Sequence, residues 1–331
     1  MARSEEPDRP AGDRGSDPVE RPGDLPKGSW TSVLKRTVKE FKADALTDWA
    51  AALTYYGILA LFPAVLALLS ILGLIGQSAI QPLLDNVATL APGAVGDILT
   101  AMLNQLGGGR GGAGIALVIG LALALWSASG YVAAFMRASN SVYDIGEGRP
   151  VWKTLPTRVG ITIAVIILLA LTAVGVVVSG TLAQKAGDVL GLGSTVVTVW
   201  NIAKWPVMVL LVSVAIALLY WGAPNVKRRF RWISRGSLLA VLIWIVASVA
   251  FAFYVANFGS YNKTYGTFAG IIIFLVWLWI TNIAILLGLE FNAETERQRA
   301  IEGGHSPDAE RYAEPRDTRK LPPDSPHGDS G

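Results

Sequence analysis

The chain has 331 residues, 52% of them hydrophobic and only 16% charged, a balance that excludes a soluble globular protein and points to several membrane-spanning segments. Cysteine is absent, which excludes disulfides, thiolate metal sites and cysteine nucleophiles, and both histidines, His305 and His327, lie in the C-terminal tail. The net charge of +3 divides unevenly: residues 1–26 and 301–331 each hold seven acids and four bases, whereas residues 27–300 hold twenty bases and eleven acids.

Residues 1–28 are dense in Pro, Gly, Asp, Glu and Arg and are expected to be a disordered tail. They lack the apolar stretch of a cleavable signal peptide, so the first span is expected to act as an uncleaved signal-anchor. From Ser29 to Asp48, Trp30, Val33, Leu34, Val38, Phe41 and Ala45 fall on one side and Lys35, Arg36, Lys39, Glu40 and Lys42 on the other. This is the pattern of an amphipathic helix on the membrane surface, whose bases either meet anionic headgroups or only set topology.

The first span is placed at 49–76 and contains Pro63, which removes a helical hydrogen bond and predicts a kink that frees the Leu59 carbonyl. Apolar residues at helical spacing between Ile80 and Leu106, with acids and amides opposite, predict two amphipathic helices on the outer surface. Gly107 to Gly112 reads as a flexible linker, since no strand precedes it and no Gly-Lys-Ser/Thr follows. Further spans are placed at 113–136, 159–182, 196–220, 236–256 and 267–289. The last two flank an aromatic, glycine-containing turn, and the sixth carries Asn282 near its middle and ends at Glu290. Residues 295–331 return to a polar, proline-rich composition expected to be disordered.

The predicted fold is therefore all-α: a membrane domain over 29–294 with six transmembrane helices, an N-terminal amphipathic helix and two extracytoplasmic ones. The loops that would be cytoplasmic carry sixteen bases and the outer side four, which predicts both termini inside the cell. The run Lys227, Arg228, Arg229, Phe230, Arg231, Trp232 is read as topology-setting and headgroup-contacting rather than as a nucleic-acid site.

Several stretches taken together are similar to one family. They are Asp48 to Tyr56 with Leu61-Phe62-Pro63, Trp126-Ser127-Ala128-Ser129 through Asn140-Ser141-Val142-Tyr143, and Tyr220-Trp221-Gly222-Ala223-Pro224. Tyr254 to Phe258 with Tyr261-Asn262-Lys263-Thr264-Tyr265-Gly266, and Leu287 to Ala293, follow in the same order. Over residues 44–294 the chain resembles the YihY/BrkB family of bacterial inner-membrane proteins, whose pattern marks Trp126, Asn140, Asn257, Tyr261, Tyr265 and Gly266. Ala60 stands where the family often has Ser, so a hydroxyl role there does not transfer. The resemblance implies six membrane helices and an inner-membrane location. It implies no single activity: members have been labelled virulence or serum-resistance factors or ribonuclease BN, and a related branch is linked to export of lipid A precursors.

Transport of an amphiphilic or lipid-linked envelope molecule, or of a small solute, is the leading functional expectation. Under it Pro63 supplies a gating kink, Tyr55, Tyr56 and Asn282 line a cavity, and Asp48 and Glu290 form an inner polar gate or proton-linked site. Pairing of Asp48 and Glu290 with nearby bases is the structural alternative. A scaffold that recruits envelope machinery is a second reading. A ribonuclease is the third and weakest, because the carboxylates Glu40, Asp44, Asp48, Asp144, Glu147, Glu290, Glu294 and Glu296 show no ligand spacing. No catalytic residue, cofactor, metal or nucleic-acid partner is expected. The expected partners are the bilayer, its anionic headgroups and an amphiphilic substrate, and a homo-oligomer is left open.

Overall fold

The computed structural model describes residues 25–26, 28–75, 110–177, 194–257, 267–306 and 312–321, with side chains at 61–75, 110–117, 173–177, 194, 257 and 267–268 outside the description. Seven helices appear among these residues: α1 Ser29–Ala43, α2 Leu46–Ile75, α3 Arg110–Val142, α4 Val151–Val177, α5 Ser194–Gly222, α6 Arg235–Asn257 and α7 Thr267–Glu302. No named strand occurs among them; a single antiparallel bridge joins Val226 to Pro315.

Five helices, α3 to α7, are long and apolar enough to cross a membrane among the described residues, and α2 adds a 30-residue helix through the first expected span. Many large apolar side chains on them, such as Val118, Ile167, Val246 and Phe253, point outward, which is unfavourable in water but natural against lipid. The chain is an all-α, multi-pass membrane protein.

The bundle is built from neighbouring pairs: α2 packs most extensively on α3, α7 on α6, and α4 on α5, while α7 also rests on α2 and α1. Its core lies toward one end, where Leu53, Phe135, Tyr143, Tyr220, Leu286 and Leu289 are buried together. That end gathers α1, the α3–α4 and α5–α6 loops and the tip of α7. Among the described residues it holds Arg36, Arg149, Arg228, Arg297 and Arg316, and it is the basic end.

Several boundaries differ from expectation. α2 is a continuous helix across position 63, although the Pro63 side chain is outside the described residues. α3 begins at Arg110, inside the stretch read as a linker, and α4 begins at Val151, where the Pro150 carbonyl accepts from Lys153 N and Thr154 N at 2.8 and 3.0 Å and Pro156 is carried within the helix.

α7 runs to Glu302, well past the expected end at 289, because its polar continuation is covered by α1. Residues 295–306 and 312–321 are thus ordered rather than tail. Lys227 N donates to Glu314 O at 2.9 Å, Arg316 N to Asn225 O at 2.8 Å, and Lys320 N to Gly148 O at 3.0 Å, so the segment is hydrogen-bonded across both loops. Too little of it is apolar for a hydropathy argument to find it. Residues 1–24 and 27 of the expected tail, the stretch 80–106 where two outer helices are expected, and Tyr261, Tyr265 and Gly266 lie outside the described residues.

α1 is amphipathic as expected but its seat differs. Ser29, Val33 and Thr37 are buried, while Leu34 and Val38 of the expected apolar face are exposed. Arg36 Nε donates to Glu294 Oε2 at 2.6 Å and Ser29 Oγ to Glu302 Oε1 at 2.6 Å, so α1 is docked on α7 by polar groups. At least this base is committed to protein rather than to headgroups.

Candidate functional site

Three polar constellations occupy the interior and the basic end. The first ties the loops together. Asn140, on the last turn of α3, donates from Nδ2 to Glu147 Oε2 at 3.0 Å and accepts from Asn225 N at 2.8 Å. Arg149 grips Glu147 through Nε and Nη2, both at 2.7 Å, and also donates to the carbonyls of Gly222 and Ala223 at 3.2 and 2.7 Å. Those carbonyls end α5 and would otherwise lack partners, so a buried arginine closes the helix. Burial works against ionising Glu147, but the Arg149 hydrogen bonds and charge outweigh it and hold the carboxyl below its usual range. Asn225 completes the network by exchanging hydrogen bonds with the backbone of Asp317 at 2.8 and 3.1 Å.

The second is a chain of neutral groups at membrane depth. Tyr131 donates its hydroxyl to Asn282 Oδ1 at 2.7 Å, Asn282 Nδ2 donates to Thr54 Oγ1 at 3.1 Å, and Thr54 Oγ1 donates to Ala50 O at 2.8 Å. It links α2, α3 and α7. Asn282 is 1% exposed, and both its amide oxygen and its amide nitrogen have a hydrogen-bond partner. Tyr55 is 60% exposed on the outer face of α2, while Tyr56 is half-buried beside Gly130, with the Arg137 guanidinium 6.0 Å from its ring centre. The two rings meet edge to face, centroids 5.5 Å apart, with Tyr55 on the outward side. Tyr55 is exposed where Asn282 is buried. Trp126 is also outward-facing, with Arg158 over its ring at 5.9 Å.

The third constellation is acidic. Glu290 on α7 is 1% exposed, and its Oε2 is buried without a hydrogen-bond partner. It lies within hydrogen-bonding reach of Asp44, in the turn between α1 and α2 where Ala45 takes a left-handed φ of 48°. Burial, then repulsion from Asp144 and Glu40, pushes the Asp44 carboxyl up to about 7, and the hydrogen bond to Glu290 only partly offsets this. Two carboxyls can hydrogen-bond to each other only when one keeps its proton. Glu294, one turn further, is instead neutralised by Arg36 and by Arg297 at 3.5 Å.

Asp48, expected beside Glu290, is exposed, because the buried stripe of α2 runs through Leu46, Ala50 and Leu53 and leaves residue 48 on another side. Asp44 takes its place, four residues earlier. The carboxylates that appear scattered along the chain thus converge in part, although among the described residues no group of three or more is placed to hold a metal ion.

The four bases expected at headgroups have separate fates. Lys227 is exposed and 3.3 Å from Glu314, Arg229 and Arg231 are exposed, and Arg228 is largely buried, donating to the Tyr143 hydroxyl at 2.7 Å and Glu296 at 3.3 Å. All four line one cavity at the basic end.

Fold and site define a class: a multi-pass helical membrane protein whose loops are locked at one charged end, where the buried Glu290 carboxyl faces the half-buried Asp44. The model of the Virulence factor BrkB family matches residues 37–313, and the chain belongs to that family. Among its relatives, a Bacillus subtilis protein named as ribonuclease-like, YfkH, is 29% identical over 270 residues, covering 82% of this chain and 97% of its own length. A UPF0761 membrane protein of Verminephrobacter eiseniae is 28% identical, covering 80% of this chain, which spans 62% of that relative. Another, of Mannheimia succiniciproducens, is 26% identical over 80% of this chain and 89% of its own length. No solved structure matches.

Proposed function

We propose that this chain is a carrier, not an enzyme, moving an amphiphilic or lipid-linked envelope molecule or a small solute across the bacterial cytoplasmic membrane, with its basic end and both termini in the cytoplasm. Glu290 carries the reading: a carboxyl 1% exposed, where the apolar part of α7 gives way to its polar continuation, with one oxygen unbonded and an acid rather than a base as neighbour. A structural role would favour the opposite arrangement, with a cation compensating the buried charge as Arg36 does for Glu294. Ionisable groups near membrane depth without such a partner are the usual sites of proton-linked movement.

In this reading the Asp44–Glu290 pair cycles between sharing a proton and losing it. Loss places two like charges in one poorly solvated site, which favours an arrangement that hydrates or separates them.

Liposomes reconstituted with the protein, labelled amphiphiles and labelled solutes test this under an imposed pH gradient. Wild type is expected to move at least one such compound, and Glu290→Gln and Asp44→Asn to slow it about tenfold and flatten its pH dependence, which corresponds to about 1.4 kcal/mol in the barrier. No protein-dependent movement of any compound tested would sink the carrier reading. RNA cleavage by the purified protein, lost on changing Asp144 or Glu147, would overturn the non-enzymatic part.

A further inference from the structure

The loop from Lys227 to Ser234 leaves a cavity of about 450 Å³ between the ends of α5, α6 and α7, within the size range of small-ligand sites. Six cations line it, Lys227, Arg228, Arg229, Arg231, Arg235 and Arg299, against one carboxylate, Glu296. Some are engaged: Lys227 pairs with Glu314, Arg235 lies 4.8 Å from the Trp30 ring centre, and Arg228 Nη1 serves Tyr143 and Glu296. Arg229 and Arg231 have no carboxylate partner among the described residues.

Arg228 is the informative residue. Its side chain is 13% exposed, and its Nε and Nη2 are buried without any hydrogen-bond acceptor. An arginine cannot shed its charge, so these donors stay charged and unfilled. Nε with the adjacent Nη is the edge that grips two oxygens of a phosphate at once. A water could accept one of these hydrogen bonds but would leave the surplus of cations unbalanced.

We propose that this cavity binds the phosphate group of an anionic ligand, with Arg228 as its buried fork and Arg229 and Arg231 closing over it from the rim. Its position admits two sources. The apolar span of α6 begins at Arg235, and Trp232, 70% exposed, stands at the rim beside Phe230, ring centres 5.1 Å apart, an arrangement suited to a lipid headgroup. A soluble phosphate ester offers the same chemistry. The site is separate from the carboxyl pair and holds whether or not the chain is a carrier.

The test uses full-length protein in two arms. In nanodiscs of phosphatidylcholine with or without phosphatidic acid, bound lipid is counted by native mass spectrometry. In detergent, inorganic phosphate and glycerol 3-phosphate are titrated by calorimetry. Saturable retention of phosphatidic acid identifies the headgroup, and saturable binding of either soluble phosphate identifies the free source. In either case Arg228→Gln is expected to weaken binding at least tenfold. Since Arg228 also holds Tyr143, the double variant Arg229→Gln/Arg231→Gln, altered only at exposed positions and expected to melt like wild type, is measured alongside and is expected to weaken binding several-fold. No saturable binding in either arm, or binding unchanged in the folded double variant, overturns the proposal.

Discussion

Asp44 and Glu290 share a space in which two negative charges are poorly tolerated, and the consequence is a pH dependence with a definite sign. Asp44 keeps its proton up to about pH 7 in the folded chain, against an ordinary value of 3.8. Between those values the folded state binds more protons than the unfolded one, so this contribution to stability is full below about pH 4 and falls as pH rises through about 7. Asp44→Asn should flatten the melting temperature over that window and raise it on the alkaline side. Melting of the purified protein from about pH 4 to about pH 8 checks this, and an unchanged slope in the variant refutes it. Asn282 behaves differently because it is neutral and each of its polar atoms has a partner. Asn282→Leu strips the Tyr131 hydroxyl of its acceptor and is expected to cost about 1 kcal/mol, since hydrogen bonds between membrane helices average below that and an orphaned donor adds to it. A loss above about 4 kcal/mol in denaturant titration would mean that Asn282 supports more than this one chain of bonds.

Between elements, α6 and α7 meet backbone to backbone. A Cβ built on Gly236 would lie 2.1 Å from Gly288 O, and one on Gly288 would lie 2.5 Å from Gly236 O and 2.6 Å from the Tyr220 hydroxyl. The two backbones touch, which only glycine permits, and small residues are how membrane helices approach without a hydrophobic drive. Gly288→Ala should therefore separate α6 from α7 and cost at least the 1–3 kcal/mol or so typical of overpacking, because the atoms in the way are backbone. The melting temperature would report it; a neutral result would show that α6 slides freely. This contact also sets the mouth of the arginine-lined cavity, since Asn292, one turn past Gly288, accepts from Gly236 N at 2.9 Å and donates to Ser234 Oγ at 2.9 Å. Packing and site geometry are coupled there.

At the scale of the whole molecule, residues 312–321 act as a strap over the basic end. Gly148 admits it: a Cβ there would fall 1.9 Å from Asp317 O. Tyr312 packs near Tyr143, ring centres 6.3 Å apart, and Lys153 Nζ meets Asp317 Oδ2 at 2.8 Å. Ending the chain after Ser306 removes these contacts and leaves Asn225 without its two Asp317 partners. The shortened protein should insert in the membrane as before, because its apolar helices are untouched, but the 143–150 and 223–234 loops should exchange amide hydrogens faster. Unaltered exchange in both loops would show the strap to be incidental.

Hydropathy and charge alone specified the class of the molecule: all-α, multi-pass, with bases collected at one end. Burial in lipid is a property summed over some twenty neighbouring residues, so it survives without knowledge of contacts. The family motifs were likewise visible as words, and Asn140 and the Gly222-Ala223 pair proved to sit in the loop-locking network. What the tertiary structure alone decided was which polar groups meet. Asp44 rather than Asp48 reaches Glu290 because a single left-handed residue at 45 turns the chain. Asn282 is sealed by Tyr131 and Thr54 from helices far away in sequence, and a C-terminal stretch with little apolar content is ordered by hydrogen bonds to two distant loops. Such pairings depend on rotations and distances between helices, and those are set by close contacts such as Gly236 on Gly288 rather than by any local periodicity.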